Sequence, residues 1–365
     1  MANSYEHELK LAELAVQKAV IVTRKVLQLV EKGELAKDDK TPVSLADFAA
    51  QALLVAAIHH RFPDDTIVGE EDTRLLATNP ALVERVWQLV ASSRLDDAAS
   101  EALLHAPASA ADMLRCIELG GRSYAGPTGR VWMLDPVDGT KGFLRGGQYV
   151  VCATLLVDGA ETVAAFGCPH VDVAAGAISE QDAQTDGTAA AGCLVAAIRG
   201  RGAFVRPLST GALAERRRIE QRRPVDDLRR LRFCENAETT SPQFAGRAEI
   251  AAALGATTWA PMHIFSTQLR YLALALGLAD VVLRAPRPGE APPHIWDHAG
   301  GVMVFAEAGG KVTDLNGKDL VFTAGRDLTE NFGLVACPAG IHAQVIEAVK
   351  GVFAAYPEYN GIVQS

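Results

Sequence analysis

Residues 132–143 read W-M-L-D-P-V-D-G-T-K-G-F, which places Asp135 and Asp138 three apart behind an apolar run. Neighbouring like charges are destabilising unless something positive, or a shared proton, lies between them. Three more acidic elements occur in the chain: Asp47, the run Glu70-Glu71-Asp72, and Asp297. Carboxylates are hard oxygen ligands, suited to Mg²⁺, which takes a few of them together with waters and phosphate oxygens. No cysteine or histidine set has zinc spacing, so an oxygen-only site fits better. Each acid alone also has a plainer reading. Asp47 suits a helix cap, Glu71 and Asp72 a solvated loop, and Asp297 a helix N-terminus favoured by the macrodipole. For Asp135 and Asp138 the spacing leaves a metal site and structural turn chemistry both open. In either case Pro136 and Gly139 are expected to make a tight turn that aims both acids inward. Gly139 lets a ligand approach the backbone, where successive N–H groups can hold a phosphate oxygen. Thr140 adds a hydroxyl able to orient a water. A metal and a phosphate seated within a few residues is the arrangement of metal-assisted phosphate ester hydrolysis.

These residues need elements to hold them. Residues 8–31 alternate apolar and charged side chains at helical spacing and predict a helix ending at Gly33. Ser44 is expected to cap a second helix, with Asp47 at its third position, running to about Arg61. T-I-V-G predicts a short strand with acids at its exit, and residues 79–119 read as helix in pieces. Strands are expected at 131–134, 149–157, 162–167, 193–198 and 203–206, joined by turn residues that favour antiparallel pairing. The arginine-rich stretch 207–230 reads as an exposed connector, its interleaved acids favouring a solvated surface over an anion-binding patch. Beyond it, strands at 231–235, 257–259, 280–284 and 311–313 alternate with helices at 242–254, 267–277, 296–308 and 340–355. Asp297 thus opens a helix. This alternation predicts α/β layers. The chain therefore divides at sequence level into an α+β lobe, residues 1–228, with an antiparallel sheet and most candidate ligands, and an α/β lobe, residues 229–365, with Asp297.

Composition narrows the function classes. The 365 residues are 49% hydrophobic and 22% charged, enough apolar material for more than one core. A net charge of −9 argues against nucleic acid as a partner. Six cysteines without C-x-x-C spacing read as buried reduced thiols of a cytoplasmic protein. The charged N-terminus has no apolar segment of a secretory signal, and the longest apolar stretch, Y-L-A-L-A-L-G-L-A-D-V-V-L, is too short to span a membrane.

Taken together, G-E-E-D, D-P-V-D-G-T and W-D-H-A-G-G-V-M-V-F-A-E-A-G-G resemble, in family order, the three signatures of the lithium-sensitive, magnesium-dependent phosphatases of the inositol monophosphatase superfamily. The extension K-G-F-L-R-G-G-Q-Y, with T-P-V-S-L-A-D-F-A-A-Q, is similar to the branch of 3′(2′),5′-bisphosphate nucleotidases, in its fungal and eukaryotic form. The resemblance spans essentially the whole chain. It implies a layered α-β-α-β-α sandwich of the inositol monophosphatase and fructose-1,6-bisphosphatase type.

The same resemblance implies residue roles. Glu70, Asp135 and the Val137 carbonyl hold a first Mg²⁺; Asp135, Asp138 and Asp297 hold a second; Glu70 reaches a third, weaker ion through waters. Asp47 accepts a hydrogen bond from Thr140, which orients the attacking water, and Gly139 and Thr140 contact the scissile phosphate. Thr267, Arg270 and Arg284, with Asp297, Glu238 and Thr239, contact the rest of the substrate. Arg270 stands where the branch has Lys, which keeps charge and alters geometry. Glu238 stands where the branch commonly has His; its carboxylate either repels a polyanion or points to solvent. The expected activity is a monomeric enzyme converting adenosine 3′,5′-bisphosphate to AMP and phosphate, and 3′-phosphoadenylyl sulfate to adenylyl sulfate, in sulfate assimilation or nucleotide detoxification. Inhibition by Li⁺ goes with it. The alternatives are an inositol (poly)phosphate phosphatase or a non-catalytic sensor with the same fold.

Overall fold

The computed structural model describes residues 4–35, 41–121, 128–173, 176–178, 180, 192–237, 244, 246–256 and 260–363. The first layer is a pair of long helices, α1 (Glu6–Glu31) and α2 (Thr41–Arg61). By length and composition α2 could cross a membrane, but 89% of its apolar window is buried in the protein. It packs against α1, the strand β2 described below and three further helices. The expected cap at Ser44 is corrected: α2 is already helical at Thr41, and Pro42 suits a first helical turn, so Ser44 lies inside the helix.

Next come β1 (Thr66–Gly69), α3 (Arg74–Ala77), α4 (Pro80–Ser92), α5 (Ala98–Glu101) and α6 (Ala110–Gly120). They are followed by β2 (Arg130–Asp138), α7 (Thr140–Leu144), β3 (Val150–Val157), β4 (Ala160–Cys168), β5 (Cys193–Ile198), β6 (Gly202–Pro207) and β7 (Arg217–Arg218). β1 to β7 form one sheet in chain order, parallel only between β1 and β2. Their near-continuous burial follows from cover on both faces: α1 and α2 on one, helices of the later chain on the other. The connector reading of 207–230 is corrected in part. Arg217 and Arg218 add the edge strand, and Arg216 and Arg222 pair with Glu6 and Asp280.

The second sheet holds β8 (Phe233–Asn236), β9 (Met262–Ile264), β10 (Val281–Arg284), β11 (Gly310–Thr313) and β12 (Leu334–Pro338), in the order β11-β12-β10-β8-β9. Between the sheets lie α9 (Thr267–Ala275) and α10 (Ala299–Glu307); on the far side lie α8 (Arg247–Ala253) and α11 (His342–Phe353). The layers are therefore α-β-α-β-α. β12 was not anticipated, nor was β9, while the expected strand at 257–259 lies outside the described residues. Two glycines allow the middle layer to be thin. A Cβ on Gly300 would meet Phe166 at 2.6 Å, and one on Gly301 would meet Tyr271 at 2.2 Å.

Candidate active site

The tight turn expected after Asp135 is not what aims the two acids. β2 continues to Asp138, and its register against β3 slips: Asp135 faces Cys152 and Asp138 faces Val150. Three steps on β2 thus oppose two on β3, a bulge with one extra residue. Side chains alternate faces along a strand, so residues three apart would ordinarily point in opposite directions. The extra residue at Pro136–Val137 restores them to one side. Pro136, lacking an N–H, suits a place where ladder bonding lapses. Gly139 then adopts φ 92°, ψ 39° and starts α7. A Cβ there would come 3.0 Å from Ser266 Cβ and 3.2 Å from the Gln148 carbonyl.

A cavity of about 250 Å³ opens at this point, lined by Glu70, Asp135, Val137, Asp138, Gly139, Thr140, Lys141, Asn236, Phe265, His294 and Asp297. The acids from the end of β1, the β2 bulge and the turn before α10 therefore meet. Asp297 lies before the helix rather than opening it, since α10 begins at Ala299 with His298 as its cap. Asp138 is held by the start of α9 in the middle layer: its carboxylate accepts from the Ser266 hydroxyl, from Thr267 N at 3.0 Å and from Gln268 N at 2.7 Å. Two of these bonds fall on Oδ2 and one on Oδ1. Of four acceptor positions on a carboxylate, one remains, on Oδ1.

Crowding leaves a clear electrostatic mark. Burial first, then the neighbouring carboxylates, pushes Asp47 and Asp135 well above the ordinary range. Asp297 is raised to about 7 by burial and then by Asp138. Burial raises Glu70 well above the ordinary range, followed by Glu71, Asp297 and Asp138. Asp135 Oδ1 and Asp47 Oδ1 are buried without a hydrogen-bond partner. Orphaned carboxylate oxygens in a set of oxygen-only donors fit a hard divalent cation.

Asp47, Glu70 and Glu71 bring ligand oxygens within 4.8 Å of one another, the tightest acidic cluster of three among the described residues. Glu71, read from sequence as a loop acid, is thus part of the site. It is placed by Gln51, one turn after Asp47 on α2: Gln51 Nε2 donates to the Glu71 carbonyl at 2.7 Å, and Glu71 N donates to Gln51 Oε1 at 2.8 Å. Thr140 departs from expectation. Its hydroxyl donates to the Val137 carbonyl at 3.4 Å, and Asp47 faces Glu70 and Glu71 rather than bonding Thr140. α2 and α7, which carry Asp47 and Thr140, nevertheless pack together.

A second cavity of about 280 Å³ adjoins the first and shares Asn236, His294 and Asp297 with it. Its walls carry three guanidinium groups. Arg270 Nη2 donates to the Thr267 hydroxyl at 2.7 Å, Arg284 pairs with Glu290 at 2.8 Å, and Arg247 pairs with buried Glu235 at 2.5 Å. Thr267, Arg270 and Arg284 were expected here, and Arg247, Glu235 and His294 were not. Arg247 follows a stretch with no motif, so only the fold brings it to β8. Glu238 and Thr239 lie outside the described residues.

The inositol monophosphatase family model matches residues 4–353. The chain is 45% identical to a 3′(2′),5′-bisphosphate nucleotidase of Emericella nidulans, over 96% of this chain and 99% of that protein. It is 38% identical to a 3′(2′),5′-bisphosphate nucleotidase of Schizosaccharomyces pombe, over 99% and 100% respectively. Among solved structures, the inositol monophosphatase from Anabaena superposes with a TM-score of 0.56 at 18% identity, covering 97% of this chain and 100% of that one, and so shares the fold. The chain belongs to the inositol monophosphatase family.

Proposed function

We propose that this member of the inositol monophosphatase family is a magnesium-dependent phosphomonoesterase that hydrolyses adenosine 3′,5′-bisphosphate to AMP and phosphate. The same chemistry extends to 3′-phosphoadenylyl sulfate, giving adenylyl sulfate, and serves sulfate assimilation or nucleotide detoxification. The observation that carries this is the pair of joined cavities, one walled by carboxylates and one by guanidiniums. A monophosphate needs only the first. A substrate with two phosphates needs a cationic seat for the group that does not react, and Arg270 and Arg284 in the second cavity are suited to it. The names of the two fungal relatives support the same substrate class.

In this reading Glu70, Asp135 and the Val137 carbonyl hold one Mg²⁺, and Asp135, Asp138 and Asp297 a second. Asp138 binds through Oδ1, where its remaining lone pair lies. Asp47, Glu70 and Glu71 border the place for a third, weaker ion. Bound magnesium would supply Lewis-acid polarisation of phosphoryl oxygens and a more acidic water. Gly139 and Thr140 present backbone N–H groups to the scissile phosphate. The Thr140 hydroxyl is at the outer limit of hydrogen-bond length to Val137, so turning toward Asp47 and a water costs little. Li⁺ inhibition follows from competition at a magnesium position. Glu238 and Thr239 border the nucleotide in this account.

We also read the chain as lobes 1–228 and 229–365. The first sheet ends at Arg218 and the second begins at Phe233, which supports that division. All six thiols are free, which supports a cytoplasmic protein. The test is phosphate release from adenosine 3′,5′-bisphosphate, from 3′-phosphoadenylyl sulfate and from inositol 1-phosphate, with Mg²⁺ and with added Li⁺. Preference for the nucleotides and loss of rate in Li⁺ are expected. Preference for the inositol ester would support the sugar-phosphatase alternative, and no release from any ester would support a sensor.

A further inference from the structure

Where the two cavities join, the wall is made by Asn236, His294 and Asp297. A ligand whose one phosphate lies among the carboxylates and whose other phosphate lies among the arginines must pass this neck. In a nucleoside 3′,5′-bisphosphate the part that joins the two phosphates is the ribose.

His294 is held at the neck in a fixed orientation. Its Nδ1 is 2.6 Å from Asp327 Oδ1. Its ring stacks on Trp296 at 4.6 Å with 14° between planes, and Arg326 covers the Trp296 ring at 4.6 Å. Backbone bonds fasten the segment: Leu328 N donates to the Pro293 carbonyl at 2.9 Å and Ile295 N to the Arg326 carbonyl at 3.0 Å. Arg326 Nη2 also donates to the Gly69 carbonyl at 2.6 Å, so this rim is tied to the strand that delivers Glu70. An ionised carboxylate only accepts hydrogen bonds, so the bond to Asp327 places the proton on Nδ1. In the tautomer that carries this proton alone, Nε2 is an acceptor open to a ligand.

We propose that His294 is a specificity residue whose Nε2 accepts a hydrogen bond from the ribose 2′-hydroxyl of the substrate, with Asp327 as the positioning residue that fixes its tautomer. The inference rests on the nucleotidase reading. It predicts a preference for ribonucleotides over deoxyribonucleotides, which the carboxylates and arginines alone do not distinguish.

The test measures kcat/KM for adenosine 3′,5′-bisphosphate, its 2′-deoxy analogue and p-nitrophenyl phosphate. The wild type should prefer the ribonucleotide by roughly three- to tenfold, the worth of one neutral hydrogen bond. His294→Ala should lose that preference, chiefly through KM for the ribonucleotide. Asp327→Asn should lose part of the preference, and serves if His294→Ala does not fold. An unchanged ribo-to-deoxy ratio in the folded variants overturns the inference while leaving the nucleotidase reading intact. No hydrolysis of either nucleotide by the wild type overturns the nucleotidase reading, and this inference with it.

Discussion

The two cavities differ in how their charges are held. The carboxylate cavity is built from backbone geometry. A strand end, a one-residue bulge and a turn before a helix force Asp135, Asp138, Glu70 and Asp297 together, and Asp135 keeps an oxygen without a partner. The arginine cavity is built from side chains that mostly have partners: Glu235 for Arg247, Glu290 for Arg284, and the Thr267 hydroxyl for Arg270, whose Nε stays buried without one. The first stores like-charge repulsion that a cation relieves. The second holds two ion pairs and one cation, Arg270, without an acid partner, so an entering anion meets one unbalanced charge and two pairs to exchange. Chemistry should therefore be all-or-none with respect to the first region and graded with respect to the second.

The largest expected effect breaks the carboxylate side. Asp135→Asn removes a charge shared by both proposed magnesium positions and should lower kcat by roughly a thousandfold or more on every phosphate ester. The circular dichroism spectrum should be unchanged. A loss confined to nucleotides would erase the distinction between the two cavities. Next is Arg270→Ala, on the graded side. Loss of a charge-assisted contact should raise KM for adenosine 3′,5′-bisphosphate roughly 10- to 100-fold, with the rate on p-nitrophenyl phosphate retained.

The stored repulsion has a pH signature. Asp297 and Glu71, at about 7, titrate above their unfolded values. An acid whose pKa is raised on folding binds more protons folded than unfolded between the two values, so stability falls as pH rises through that window. The melting temperature of the chain in a chelator should thus decline between about pH 4 and about pH 7. Saturating Mg²⁺ should flatten that decline. A decline of equal size with and without Mg²⁺ would mean the crowding is not relieved by the ion. Smaller still is Gln51→Leu, which removes the clamp on Glu71 and leaves its buried backbone groups unpaired. It should cost about 1–3 kcal/mol in chemical denaturation. The smallest effect is expected from Glu290→Gln. Its pair with Arg284 is partly exposed, so KM for the bisphosphate should change by less than about fivefold.

The same contrast governs how much was legible in the sequence. The acids of the first cavity lie in short motifs, and the strands behind them are long apolar runs with clear turn residues, so both were readable. The device that aims Asp135 and Asp138 was not. A bulge is a relation between two strands, visible only once β2 is paired with β3. Glu71 looks like a solvated loop acid until Gln51, twenty residues earlier, is seen to hold its backbone. Arg270 and Arg284 were found because they stand in recognisable segments. Arg247 has no motif and reaches the second cavity through the packing of separate elements, whereas His294 stands three residues before Asp297, at the edge of a motif, and carries no signal of its own. β12 carried a signal, an apolar Leu-Val-Ala-Cys run between Gly333 and Pro338, but five residues do not distinguish a strand from a loop entering a helix.

In the proposed function the carboxylate cavity cleaves and the arginine cavity selects a second phosphate. The most direct measurement follows phosphate and AMP together from purified wild-type chain with adenosine 3′,5′-bisphosphate and Mg²⁺, against AMP and inositol 1-phosphate as substrates. The account predicts equimolar phosphate and AMP from the bisphosphate, abolished by a chelator, with much slower release from the two monophosphates. Equal rates on all three esters, or release from inositol 1-phosphate alone, would contradict it.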